Sequence, residues 1–474
     1  MSRPKLIKLL IGPLILFACS FFGSFENEQA FMVGVVLWML SWWITEVVPI
    51  AVTALLPMIL LPMLGILDLR ATTANYSNPV IYLFFGGFVL GLAIEKWGLH
   101  KRIALNIMKL AGEKPSRVVL GCMLATALLS MWISNTATTV MMLPIGMSVV
   151  ALLKDKMEEG VGARNFALTL MLGIAYAANI GGITTLIGTP PNLVLAGIVE
   201  ETGLVALGFS EWFFFAFPLV IILFSSVYYI NTKLVFPVRI KKLEGIKELI
   251  SDELDVLGAI GKSERNVLLI LVVTALLWIF RAQLTKLSIL SELNDTIIAI
   301  FASVILFAWP SEEKNKPLLV WKDTKKLPWD ILLLFGGGIS LAKGLEVTNI
   351  VGLLGDWIST SIIPTPILVI LVVCAFAVFL TEVMSNVALV AVFIPVSFVI
   401  AQNFGFSELQ LAIPLTIGAS CAFMFPISTP PNAIVFSSGY INMNQMARVG
   451  IILNITCIII VTLYSHLFQD WFFG

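Results

Sequence analysis

Histidine is nearly missing from this chain: among 474 residues there are two, His100 and His466, each near the end of an apolar segment and neither with a partner at ligand spacing. With no HExxH string and no aspartate pair, the usual groups of metal-assisted and paired-carboxylate catalysis are absent, which argues against an enzyme. Cysteine is scarce too. Cys19, Cys122, Cys374, Cys421 and Cys457 stand singly in apolar runs without a CxxC, as small buried hydrophobes do, and offer no zinc or disulfide framework. Charge is the third shortage. Only 12% of residues are charged, 29 of each sign, so the formal net charge is zero and no basic field invites nucleic acid.

What fills the chain is apolar: 59% hydrophobic residues and a mean hydropathy of +0.99. A soluble domain sits near 45–50% apolar with roughly a quarter charged, so this is the composition of an all-α polytopic membrane protein in a lipid bilayer. Runs able to cross about 30 Å of hydrocarbon fall near 7–23, 31–48, 50–66, 80–98, 165–200, 211–232, 266–283, 294–310, 331–350, 409–440 and 448–470, giving about eleven transmembrane helices. The first follows Arg3, Lys5 and Lys8 in the manner of a signal peptide. No small-x-small cleavage site follows it, so it reads as a retained helix.

Two further apolar blocks, near 117–151 and 363–402, fit this count only as re-entrant hairpins. So arranged, all Lys and Arg except Arg70, Arg281, Lys286 and Lys343 fall on one side, 29 − 4 = 25 of them. The positive-inside rule then predicts a cytoplasmic N-terminus and a C-terminus on the outer, periplasmic face of a bacterial inner membrane.

The polar connector 236–265 divides the chain, and the same features recur in the same order on either side of it. Phe85-Gly86-Gly87 matches Phe335-Gly336-Gly337, SNTATTVMMLP at 134–144 matches SNVALVAVFIP at 385–395, and TPPN occurs at 189–192 and 429–432. The constant order reads as an internal duplication, and the topology makes the two repeats inverted. Paired prolines break helices, and inverted repeats with broken helices at matching positions are the signature of a secondary transporter. The glycine pairs read as close helix packing. Among the intramembrane carboxylates Glu46, Glu95, Glu346 and Glu382, the last lies three residues before Ser385 and is the candidate for carrying a proton.

Ser134-Asn135-Thr136 and Ser385-Asn386 sit midway through the hairpins, where serine and asparagine suit the turn between half-helices. Half-helix ends offer free N–H groups to an anion, while hydroxyls, amides and freed carbonyls offer oxygens to a hard cation. The hairpins and breaks hold no Lys or Arg, so anion binding has to rest on neutral donors and on accompanying cations.

These motifs, with WWITEVVPIAVTALLPM at 42–58 and TPPNAIVFSSGYI at 429–441, resemble the divalent anion sodium symporter family, the sodium-coupled dicarboxylate and citrate carriers. The resemblance implies a homodimeric elevator-type transporter in which a transport domain slides against a scaffold. It divides the chain into an N-terminal helix, 1–30; a first repeat, 31–235, with scaffold 31–116 and transport elements 117–235; the connector; and a second repeat, 266–474, with scaffold 266–362 and transport elements 363–474. It places one sodium on Ser130, Ser134, Asn135 and the Gly188 backbone, and another on Thr381, the Met384 backbone, Asn386 and the Ser428 backbone, for two or more coupling Na+ ions. The substrate would meet Ser134, Asn135, Thr136, Thr189 and Pro190 from one repeat and Ser385, Asn386, Val387, Thr429 and Pro430 from the other. Val387 departs from the pattern, since its counterpart is Thr136. The implied activity is sodium-coupled symport of C4 dicarboxylates such as succinate, malate or fumarate. Sodium-independent exchange, or citrate or sulfate as substrate, are the alternatives.

Overall fold

The computed structural model describes residues 3–473 apart from 23–26, 157–159, 203, 205, 206, 239, 241 and 351–364. Among the described residues the chain is helical, with one isolated bridge between Pro310 and Pro317. Helix α1 (Arg3–Phe22) packs on α2 (Asn27–Thr45), where Trp42 donates its indole N–H to the Leu9 carbonyl at 3.2 Å. After α2 the backbone turns through Glu46 at φ 45° into two short helices, α3 (Ile50–Thr53) and α4 (Leu56–Met63). Helix α5 (Leu69–Ala74) starts on Asp68, whose carboxylate accepts from the Ala71 N–H at 2.7 Å.

Helix α6 (Pro79–Lys96) lies against a later helix of the second repeat, α16 (Asp295–Ala308). A Cβ on Gly86 would come within 2.5 Å of the Ala299 side chain, so glycine here lets the two backbones approach, as small residues do between membrane helices. Between them in sequence come the amphipathic α7 (Leu99–Ala111), the pair α8 (Pro115–Ser130) and α9 (Asn135–Lys156), then α10 (Val161–Ile183), α11 (Pro190–Glu201) and α12 (Phe209–Tyr229). The connector holds α13 (Ile246–Leu257) and is followed by α14 (Lys262–Ile279) and the single turn α15 (Arg281–Leu284). The second half continues with α17 (Trp329–Val347), α18 (Pro366–Leu380), α19 (Asn386–Asn403), α20 (Glu408–Ala419), α21 (Pro430–Phe436) and α22 (Met443–Phe473).

Six helices among the described residues are long and apolar enough to cross a membrane, and four shorter apolar ones, including α8 and α18, have 10 to 17 residues. The stretches expected as single spans at 165–200 and 409–440 are each two helices, α10 with α11 and α20 with α21. In both, the second helix opens on a Pro-Pro pair. Proline at the first helical positions forfeits only N–H groups that have no intrahelical partner anyway, so the pair starts a helix as firmly as it ends one. The intervening residues 184–189 and 420–429 are not regular helix. Helix α10 is buried throughout its apolar window and packs against the first hairpin, α8 and α9, and against α21 of the second break, while the second hairpin, α18 and α19, packs on α20.

Candidate functional site

The two repeats build their hairpin tips with the same hydrogen bonds. Ser130 closes α8 and Asn135 opens α9; the serine hydroxyl lies 2.6 Å from the Asn135 amide oxygen and 2.8 Å from the Ala178 carbonyl. In the second repeat Thr381 follows α18 and Asn386 opens α19; the threonine hydroxyl lies 2.7 Å from the Asn386 amide oxygen and 2.7 Å from the Ala419 carbonyl. A hydroxyl carries one proton and serves one of two acceptors. Each tip therefore gathers three oxygens around one hydroxyl proton, a donor set that suits a bound cation.

The breaks match as well. Asn192 and Asn432, the asparagines of the two TPPN strings, are both 0% exposed. The Asn192 amide donates toward the carbonyls of Ile183 at 3.1 Å and Thr185 at 2.8 Å; that of Asn432 donates to Ala422 and Phe425, both at 3.1 Å. Each holds open the carbonyls that the broken helix releases, which would otherwise be buried without a partner. Thr189 and Thr429 precede the prolines in extended conformation, and the Thr429 hydroxyl accepts from the Asn432 N–H at 3.3 Å.

Hairpin tips and breaks converge on one cavity of about 690 Å³. Ser134, Asn135, Thr136, Thr189 and Pro190 line it from the first repeat; Ser385, Asn386, Val387, Thr429 and Pro430 line it from the second. All ten residues expected to meet substrate thus share one space, with no Lys or Arg in its wall. Of the residues expected to hold sodium, Met384 and Ser428 also line the cavity, while Ser130, Thr381 and Gly188 are buried behind it. A Cβ on Gly188 would stand 2.5 Å from the Gly182 carbonyl and 3.0 Å from that of Ser130. One on Gly182 would run into the Asn135 amide oxygen and lie 3.1 Å from the Gly188 carbonyl. Behind the first tip, then, Asn135, Ser130 and Gly188 direct oxygens at a space kept open by glycine. A donor set of neutral oxygens around such a space fits a monovalent hard cation.

Several cavity residues escaped the sequence reading. Asn179 lines the wall and reaches across the repeats, donating to the Thr429 hydroxyl at 3.1 Å. Trp43, Ile50, Ile331 and Leu334 give one wall an apolar face, and the exposed carboxylates of Glu46 and Asp330 stand at its edge. Asn179, in ANIGG, was visible as a lone amide in an apolar run. The others come from helices far away in sequence.

The remaining intramembrane carboxylates are accounted for by partners. Glu95 lies 3.9 Å from Lys326, Glu346 pairs with Lys343 at 3.1 Å, and Glu382 is 2% exposed and bonded to five donors described below. His100 donates its Nδ1–H to the Ile94 carbonyl at 3.0 Å. Among the described residues no cluster of His, Cys, Asp or Glu would hold a metal ion, and four of the five cysteines are buried and free.

The sequence matches the family described as the sodium:sulfate symporter transmembrane region over residues 2–474. The chain belongs to this family. Its members are membrane transporters and not enzymes. A sodium-dependent dicarboxylate transporter of Staphylococcus saprophyticus, SdcS, is 38% identical over 98% of this chain and 91% of its own length. The protein of the same name from Staphylococcus aureus is 39% identical, again over 98% and 91%. Among solved structures, the YdaH transporter of Alcanivorax borkumensis superposes with a TM-score of 0.54 over 85% of this chain and 89% of its own at 12% identity, a likeness of fold alone. Membership makes this a multi-pass membrane protein that works by transport.

Proposed function

We propose that the protein couples sodium entry to the uptake of a C4 dicarboxylate, by symport, at the bacterial plasma membrane. The observation that carries this reading is the matched oxygen pair at the two hairpin tips, Ser130 with Asn135 and Thr381 with Asn386. Two such sites in a chain whose relatives are named sodium-dependent dicarboxylate transporters support one sodium at each tip, with Gly188 and Ser134 completing the first set and Met384 and Ser428 the second. With no cation in the cavity wall, a dianion there would be held by the hydroxyls and amides of Ser134, Asn135, Thr136, Ser385 and Asn386 and by the sodium ions behind them. Substrate and sodium then raise each other's affinity by the same factor. The cavity has room for a four-carbon chain, and the lack of a hydroxyl at Val387 leaves its second half the less polar.

The repeats read as inverted, with about eleven crossings and two re-entrant hairpins. The elements of 117–235 and 363–474 form a transport domain that slides as an elevator past scaffold helices from 31–116 and 266–362, in a homodimer. With the N-terminus cytoplasmic and the C-terminus outside, Glu46 and Asp330 lie at the cytoplasmic ends of their helices. The cavity they border then opens inward.

The test is uptake of labelled succinate into proteoliposomes with and without an inward sodium gradient. Uptake at least tenfold above the gradient-free control is expected. Uptake that ignores sodium but needs internal dicarboxylate would replace symport by exchange.

A further inference from the structure

Glu382 follows Thr381 and, among the described residues, is the one carboxylate buried among the transport elements near the second tip. Its Oε1 accepts from the backbone N–H groups of Phe423 at 2.8 Å and Met424 at 2.9 Å and from the Asn454 amide at 2.8 Å. Its Oε2 accepts from the Phe425 N–H at 3.3 Å and from the Ser428 hydroxyl. Four N–H groups donate to it, and the Ser428 hydroxyl, which also lies 2.9 Å from the Phe425 carbonyl, bridges the carboxyl to the unwound backbone. None of the five is charged. In a poorly screening interior a carboxylate held only by neutral dipoles attracts a nearby cation far more than it would in water.

The first repeat has nothing comparable. Counting back the 251 residues that separate Thr381 from Ser130 puts Met131 opposite Glu382. There the break is tied by Thr185, whose hydroxyl donates to the Met131 carbonyl at 2.6 Å, a neutral bond in the place of a charged one. In the second repeat the same carboxylate grips the unwound stretch 423–428 and ends on Ser428, whose backbone is a proposed sodium ligand.

We infer that Glu382 is a positioning residue and fixed counter-charge for the second sodium. It shapes the 423–428 segment and makes the two cation sites unequal, so that the second fills at a lower sodium concentration than the first. This rests on the sodium-coupled reading above, and it gives Glu382 a part in building the second cation site.

The test uses the full-length protein in proteoliposomes, reading dicarboxylate uptake against sodium concentration. Glu382→Gln keeps the shape and removes the charge: the half-saturating sodium concentration is expected to rise at least tenfold. Glu382→Asp keeps the charge and should shift less. A monodisperse Glu382→Gln protein whose half-saturation stays within twofold of the parent overturns the inference. If Glu382→Gln does not fold, ²²Na⁺ binding to Ser130→Ala and Thr381→Ala decides. The inference expects Ser130→Ala to keep the tighter sodium and Thr381→Ala the weaker one, and equal or reversed affinities overturn it. A parent protein indifferent to sodium would sink the functional reading itself, whereas a sodium-dependent parent with an unaltered Glu382→Gln sinks only this inference.

Discussion

A methyl group on Gly182 has nowhere to go except against the Asn135 amide oxygen and the Gly188 carbonyl. Gly182→Ala is therefore expected to raise the half-saturating sodium concentration at least tenfold, in an uptake assay, while leaving the helix it closes intact. The corresponding position in the second repeat is Ala422, which already carries a Cβ, so the two proposed cation sites are not copies. Asn135→Ala and Asn386→Ala each remove the amide oxygen that faces a tip hydroxyl. Both should abolish uptake while the protein stays monodisperse on gel filtration, and full activity in both would refute the assignment of the tips. Val387→Thr restores the hydroxyl that the first repeat has at Thr136. It should shift the preference between succinate and the 2-hydroxylated malate by about tenfold, the scale of one polar contact, with the sodium dependence unchanged.

At the scale of the helices, the breaks were legible because Pro-Pro has only one good place in a helix, and the tips were legible because Ser-Asn pairs repeat in register. The glue between them was not. Asn179, Asn192 and Asn432 act on carbonyls freed by breaks whose exact extent depends on how α10 and α20 end, and Glu382 meets donors 41 to 72 residues away. Sequence reading saw Glu382 as a possible proton carrier because an isolated intramembrane carboxylate advertises its charge and hides its partners. Asn192→Ala would leave the carbonyls of Ile183 and Thr185 buried without donors, at about 1–3 kcal/mol each, and should lower the melting temperature as well as stop uptake. An unchanged melting temperature would mean that the break holds itself open by backbone geometry alone.

For the whole molecule, the contact to watch lies between α12 and the α14–α16 segment. Asp295 accepts from the Phe209 N–H at 2.7 Å and lies 3.3 Å from Arg281, whose other nitrogen is 3.4 Å from Glu211. Phe209 also stacks on Trp278 with ring centres 4.5 Å apart. Under an elevator mechanism this joins the moving body to the fixed one. A disulfide between cysteines placed at 211 and 281 should then arrest uptake reversibly, with recovery on reduction, and undiminished uptake in the cross-linked protein would place α12 in the fixed body.

Coupling itself is tested most directly by sodium flux. Proteoliposomes with equal sodium on both sides, given an inward succinate gradient, should accumulate ²²Na⁺ against no sodium gradient of its own, and should fail to do so with Asn135→Ala or Asn386→Ala. Succinate entry with no accompanying ²²Na⁺ would contradict the account.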